Sequence, residues 1–391
     1  MDNFTFYSPT YFSFGKDTET EVGAYVKKFG GTKVLLHYGG GSVVRSGLLD
    51  RVKESLLKEK IAFVALGGVK PNPRDDLVYE GIKICKSEGI DFILAVGGGS
   101  TIDSSKAIAA GTLYEGDFWD FYQGKPIEKA LPVGTVLTIA AAGSEGSPSS
   151  VITKLSDNLK RGTSSDLIRP KFSLLNPALT MTLPPYQSAS GIADIMAHLL
   201  ERYLTKTKNV EVTDRLIEAL LITMLMEGPK VIENPKDYEA RANIMWAGMM
   251  AHNNSVGVGR TQDWASHAIE HELSAQYDVA HGAGLAVIFP EVLNYTMDQD
   301  LLRFARLGAN VFGVPYDYET PKNTALEGVK RLRNFFNSLG LPSTLSELGV
   351  KEQDLDEMAH RACYGNGRLG FLGGFSNLGE EDVKNIYKNL L

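Results

Sequence analysis

The stretch FILAVGGGSTIDSSKAIAAG (92–111) decides the fold class. An apolar run of strand character ends in three glycines, and small apolar residues at helical spacing follow at once. The turn HYGGGS (37–42) repeats the pattern after KVLLHY (33–38). AFVAL (62–66) and VGTVLTI (133–139) read as further strands, with amphipathic helices SGLLDRVKESLLKE (46–59) and DLVYEGIKICKSEG (76–89) between them. Strand, turn and helix in alternation predict an α/β domain with a doubly wound, mostly parallel sheet.

After LLNPALTMTLPP (174–185) helical periods take over. TDRLIEALLITMLMEG (213–228), DYEARANIMWAGMMAHN (237–253) and ALEGVKRLRNFFNSLG (325–340) are the clearest helices, and no convincing strand follows. The expected organisation is an α/β dinucleotide-binding domain over 1–178 and an all-α domain over 179–391.

Composition narrows the partners. The chain has 391 residues, 40 Lys and Arg against 47 Asp and Glu, and a net charge of -7, which argues against nucleic acid or an anionic membrane as partner. Its two cysteines, Cys85 and Cys363, form no metal knuckle or disulfide framework, as expected of a reduced, cytoplasmic protein. The N-terminus lacks the pattern of a signal peptide, and LIEALLITMLM (216–226) is too short to span a bilayer. FTFYSPTYFSFG (4–15), with aromatics alternating around Pro9, reads as an edge hairpin, either folded on its own domain or open to a partner.

The glycines of both turns are expected to adopt positive φ and to admit a ligand close to the backbone. The helix behind the second turn offers free N–H groups to a phosphate, with Ser100 as helix cap or direct phosphate partner. Neither turn is Gly-x-Gly-x-x-Gly, but two such turns at strand ends of one sheet favour a nucleotide. The first has Gly39 where an acidic residue would bond the ribose diol of NAD, and Arg45 follows shortly, leaving room for NADP.

Asp194 and His198 in GIADIMAHLLERY (191–203) stand i, i+4 on one helix face. WASHAIEHELSAQYDVAHG (264–282) repeats the spacing in His267 and His271, and His281 follows a turn-like YDVA. A carboxylate and three imidazoles suit one divalent iron or zinc with a position open to a substrate oxygen. One of His267 and His271 is then one ligand too many, and spacing does not say which. His37, His252 and His360 read as ordinary satisfied polar residues. The residues between the paired histidines do not match the His-Glu-x-x-His pattern of zinc proteases.

Four further stretches carry a resemblance: AVGGGSTID (95–103), TLPPYQSASGIADIMAHLLE (182–201), RANIMWA (241–247) and QDWASHAIEHELSAQYDVAHG (262–282). Over nearly the whole chain, from YGGGSVVRSGLLD (38–50) to FFNSLGLPSTLSELG (335–349), the sequence resembles the iron-dependent (group III) alcohol dehydrogenases, most closely their NADP-type butanol dehydrogenase and aldehyde reductase branch.

The resemblance implies a dehydroquinate synthase-like architecture with the active site in the cleft between the domains. It implies Asp194, His198, His267 and His281 as ligands of Fe2+ or Zn2+, with His271 beside them as a proton relay. It implies NADP(H) contacts from Gly39, Gly40, Ser42 and Asn72, then Gly98, Gly99, Ser100 and Asp103, and lastly Thr138 and Lys160. It also implies alcohol or aldehyde substrates and a homodimer formed through the N-terminal edge. One departure stands in TIAAAGSEGS (138–147), where Ala140 and Ala142 replace the hydroxyl or proline common in relatives. An NAD-linked polyol or glycerol dehydrogenase, a phosphosugar-cyclising lyase and a metal-dependent hydrolase are the rival readings. The lyase would need cationic side chains around the metal, where the motifs supply little beyond Arg260.

Overall fold

A computed structural model describes residues 1–365 and 368–391. Two compact units divide the chain: Tyr7–Thr182, and Leu183–Leu391 together with Met1–Phe6.

The first unit contains strands β1 (Tyr11–Phe14), β2 (Lys33–Tyr38), β3 (Ala62–Leu66), β4 (Phe92–Gly97), β5 (Val133–Leu137), β6 (Ser149–Lys154), β7 (Leu159–Ser164) and β8 (Phe172–Leu175). Its helices are α1 (Val22–Lys28), α2 (Gly41–Arg45), α3 (Leu48–Lys58), α4 (Asp75–Glu88) and α5 (Gly99–Thr112). Six strands form a parallel sheet in the order β1-β8-β5-β4-β2-β3, and β6 pairs antiparallel with β7.

Burial follows the two-residue period of a strand. Val34, Leu36, Phe92, Leu94 and Val96 face one way, against Val22 and Val26 of α1 and Val52 and Leu56 of α3. Leu35 and Ile93 face the other way, against Val78 and Cys85 of α4, Ile108 of α5 and the aromatics Phe118, Trp119, Phe121 and Tyr122. Covering both faces is what makes these strands read as continuous apolar runs.

Three sequence expectations change. The strand read over 133–139 ends at Leu137. The β6–β7 pair is a polar hairpin whose serines and lysines carry little strand signal. The N-terminal aromatics do not form a hairpin, because Tyr11–Phe14 pair in parallel with β8 as the sheet's edge. The residues before them are tied to the helical unit: the Met1 amino group donates to Lys208 O and Asp2 N–H to Gly259 O.

The second unit is helical: α6 (Pro185–Tyr203), α7 (Glu211–Glu233), α8 (Tyr238–His252), α9 (Ala265–Tyr277), α10 (His281–Thr296), α11 (Leu301–Asn310), α12 (Pro321–Ser338), α13 (Leu355–Tyr364) and α14 (Glu380–Asn389). Every residue of α6 from Ser188 to Tyr203 is buried, so it is the unit's central helix. Among the described residues no helix is long and apolar enough to cross a membrane.

His37, on β2, ties β3 to α5. Its Nδ1–H donates to Leu66 O at the end of β3, and its Nε2 accepts from Ser104 Oγ on α5, both at 2.9 Å. Burial lowers its pKa from 6.5 to about 4. The unfolded chain therefore takes a proton that the folded chain refuses. His37 stabilises fully above about pH 6.5 and progressively less as pH falls toward 4. In urea unfolding, the advantage of the parent over His37→Gln is expected to shrink by about 3 kcal/mol across that window. A difference independent of pH contradicts this.

Candidate metal centre and nucleotide turns

Donors from α6, α9 and α10 meet: Asp194, His267 and His281 form one cluster, and His198 lies beside Asp194 and His267. Asp194 and His198 project from buried α6, with His198 Nε2 3.3 Å from Asp194 Oδ1. His281 opens α10, with three residues between it and the end of α9 at Tyr277. The next residue, Gly282, lies so close to α6 that a Cβ there would stand 1.8 Å from Ser190 O. Only glycine allows that approach, which puts His281 Nε2 3.9 Å from Asp194 Oδ1.

Donor atoms of Asp194, His267 and His281 all lie within 4.8 Å of one another. Atoms bound about 2.0–2.2 Å from one tetrahedral ion stand about 3.3–3.6 Å apart. The cluster therefore has both the donors and nearly the spacing of a divalent metal site.

Two glutamates complete the arrangement. His267 Nδ1 donates to Glu201 Oε1 at 2.9 Å, and His281 Nδ1 bonds Glu270 Oε2. Both carboxylates are fully buried. With Nδ1 committed, Nε2 is the nitrogen each ring can offer a cation. Burial pushes the Glu201 carboxyl up to about 7, against the pull of the His267 and Trp264 N–H groups. Burial, followed by the nearby imidazoles and Arg202, holds the His198 pKa well below 6.5, in the neutral form a metal requires.

The structure places His271 outside the Asp194 cluster, half-buried, its ring 5.5 Å from that of His281. His271, Glu270 and His281 form a second group of donors within 4.8 Å. His252 is hydrogen-bonded, as expected of a satisfied polar residue, but it also lies against a predicted metal residue. Its ring lies 4.1 Å from that of His198, and its Nδ1 accepts from Arg202 Nη2 at 2.9 Å. His37 and His360 do behave as ordinary polar residues, the latter paired with Glu380.

In the α/β unit the two glycine turns are neighbours. β2 leads outward to β3, while β4 leads the other way to β5, so the direction of winding reverses between β2 and β4. Ligands of such sheets bind outside the strand ends at that reversal. Gly39, Gly40 and Ser42 follow β2, and Gly98, Gly99 and Ser100 follow β4. Thr138, just past β5, donates its N–H to Gly97 O. Asn72, in the segment between β3 and α4, meets Lys160 of β7, whose Nζ donates to Asn72 Oδ1 at 2.9 Å.

The expectation of positive φ in these turns is corrected: Gly40 has φ -73° and Gly98 φ -91°. Gly98 is required by packing, since a Cβ would stand 2.1 Å from Ile139 Cγ2. Ser100 does not cap α5; Gly98 occupies the cap position, with no side-chain cap bond. Asp103 has both oxygens engaged by the protein, by Ser144 Oγ at 2.5 Å and Val151 N–H at 3.0 Å. Beside it the buried Lys106 ammonium donates to Ser144 O, Ser144 Oγ, Ser147 O and Ser149 O. Asp103 and Lys106 thus secure residues 144–151, which follow the Ile139 that packs on Gly98.

Two family models match, iron-containing alcohol dehydrogenase over residues 9–177 and the C-terminal region of the Fe-containing alcohol dehydrogenase family over 188–391. The chain belongs to the iron-containing alcohol dehydrogenase family. It is 42% identical to NADH-dependent butanol dehydrogenase A of Clostridium acetobutylicum, covering 99% of each chain. It is 36% identical to the NADPH-dependent aldehyde reductase YqhD of Escherichia coli, covering 90% of each. The solved structure of NADH-dependent butanol dehydrogenase A from Thermotoga maritima matches with a TM-score of 0.96 at 39% identity, covering 100% of this chain and 99% of that one.

Sequence reasoning missed Glu201 and Glu270. The first was visible as the third polar residue, i+7 from Asp194, on an otherwise apolar helix face. Within this dehydrogenase family's turn, Gly40 offers a clean test, because no atom lies within 4 Å of a Cβ added there. Gly40→Ala is expected to melt with the parent yet bind a reduced nicotinamide dinucleotide, NADH or NADPH, at least about tenfold more weakly, read by fluorescence titration. Unchanged affinity would show that no ligand approaches this backbone.

Proposed function

We propose that the protein is a metal-dependent alcohol dehydrogenase that interconverts primary alcohols and aldehydes, such as butanol and butanal, with NADP(H). The observation that supports this reading is the gathering of Asp194, His267 and His281 donor atoms within 4.8 Å of one another, with His198 Nε2 3.3 Å from Asp194 Oδ1 and two imidazoles held by buried carboxylates. When bound, a divalent metal, Fe2+ by family or Zn2+, supplies a Lewis acid for the substrate oxygen, and the nicotinamide supplies the hydride carrier.

The chain's residues do the rest. Asp194 contributes the one negative charge among the four donors. Glu201 and Glu270 hold the rings of His267 and His281 against rotation. His271 carries the proton between the substrate oxygen and solvent. The N–H groups at Gly98, Gly99 and Ser100, at the start of α5, receive the pyrophosphate. Gly39, Gly40, Ser42 and Asn72 take the adenosine side, while Asp103, Thr138 and Lys160 line or brace the remainder.

Gly39 supports NADP, and so does Arg45, whose Nη1 would stand 2.4 Å from a Cβ placed on Gly41 and so folds back over the turn. A second reading, NADH, is favoured by the names of the relatives from Clostridium acetobutylicum and Thermotoga maritima. The lyase reading loses its cation: Arg260 Nη1 donates to Asp214 Oδ1 and Arg202 O, and its Nη2 to Val210 O. Edge strand β1, with Tyr11 and Phe14 exposed, supports a homodimer, and the buried, unpaired Cys85 and Cys363 support a cytoplasmic location.

The test is oxidation of NADPH and NADH with butanal by iron- or zinc-loaded protein. Larger kcat/KM with NADPH is expected. Preference for NADH overturns the reading of Gly39, and no turnover with either overturns the dehydrogenase. His271→Ala is expected to keep its metal and lose about a hundredfold in kcat. Loss of metal would make His271 a ligand.

A further inference from the structure

The polar face of α6 continues past Asp194 and His198 to Glu201, and this carboxylate reaches a second helix. Its Oε1 accepts from both the main-chain N–H (3.0 Å) and the Nδ1–H (2.9 Å) of His267. Its Oε2 accepts from Trp264 N–H at 2.7 Å, and its main-chain oxygen accepts from Asp263 N–H at 2.9 Å. Helix α9 needs such a partner. Its cap residue is Trp264, at φ +70°, whose side chain caps nothing, while the first-turn N–H groups are buried.

We infer that Glu201 is a positioning residue that seats α9 on α6 and fixes the rotamer and tautomer of His267 in one act, so that metal affinity depends on it. Holding both the backbone and the ring of one residue leaves that ring a single orientation. A proton kept on Nδ1 leaves the metal to Nε2. Glutamine cannot reproduce this, because its NH2 would confront an N–H donor on one side or the other. Aspartate is one methylene short. The inference rests on the metal-centre reading proposed above.

The test titrates the metal-free full-length protein with Co2+ against a chromophoric chelator, together with far-UV circular dichroism and the visible Co2+ spectrum. Glu201→Gln is expected to keep its helical spectrum, to bind Co2+ about 10–100-fold more weakly and to shift the Co2+ bands. In a His267→Ala background the same substitution is expected to add less than about twofold, since its effect passes through that ring. Affinity within about twofold of the parent overturns the inference. So does an equal loss with and without His267, the mark of a purely structural role. Should Glu201→Gln not fold, Glu201→Asp is read by the same criteria. A parent that binds no Co2+ overturns the metal-centre reading itself, whereas a binding parent matched by its variant overturns only the role of Glu201.

Discussion

A buried carboxylate surrounded by imidazoles governs the helical unit. Asp194 sits on a helix buried along nearly its whole length, where an ionised group is costly unless a cation or hydrogen bonds offset it. Neutral histidines carry no charge to offset it, and in the proposed metal centre a bound cation does. The surrounding packing serves that convergence. Gly282 brings α10 onto the backbone of α6, and Glu201 holds the start of α9 to the same helix. Change the separation of these helices by an ångström and the donors no longer share one point.

The α/β unit meets a different constraint, the presentation of backbone N–H groups. Reversal of winding between β2 and β4 places two glycine turns side by side. What holds them is a polar layer beneath: His37 between β3 and α5, and Lys106 and Asp103 around the 144–151 segment. Burial lowers the Lys106 pKa to about 8, with Asp103 and Glu145 opposing the shift. The ammonium is retained because four oxygens surround it.

Much of this was legible in the sequence, and the limits have physical causes. Strands β2 to β5 stood out because both sheet faces are covered, leaving unbroken apolar runs. Polar β6 and β7 and short β8 had no such signal. The i, i+4 spacings of Asp194 with His198 and His267 with His271 exposed the helix faces, but spacing cannot say how two helices are phased. Hence His252, from a third helix, lay unnoticed against His198, and Glu201 and Glu270 were invisible as supports. In the glycine turns it is packing rather than positive φ that calls for glycine: Gly40 and Gly98 have negative φ, and Gly98 is demanded by Ile139.

Whether these helices hold one cation is read from metal content by elemental analysis, on protein prepared without oxygen and on its Asp194→Ala variant. One equivalent of iron or zinc per chain in the parent, falling below a tenth in the variant, is the expected result. Parent protein that is metal-free after iron or zinc is supplied, or a variant that retains a full equivalent, contradicts it.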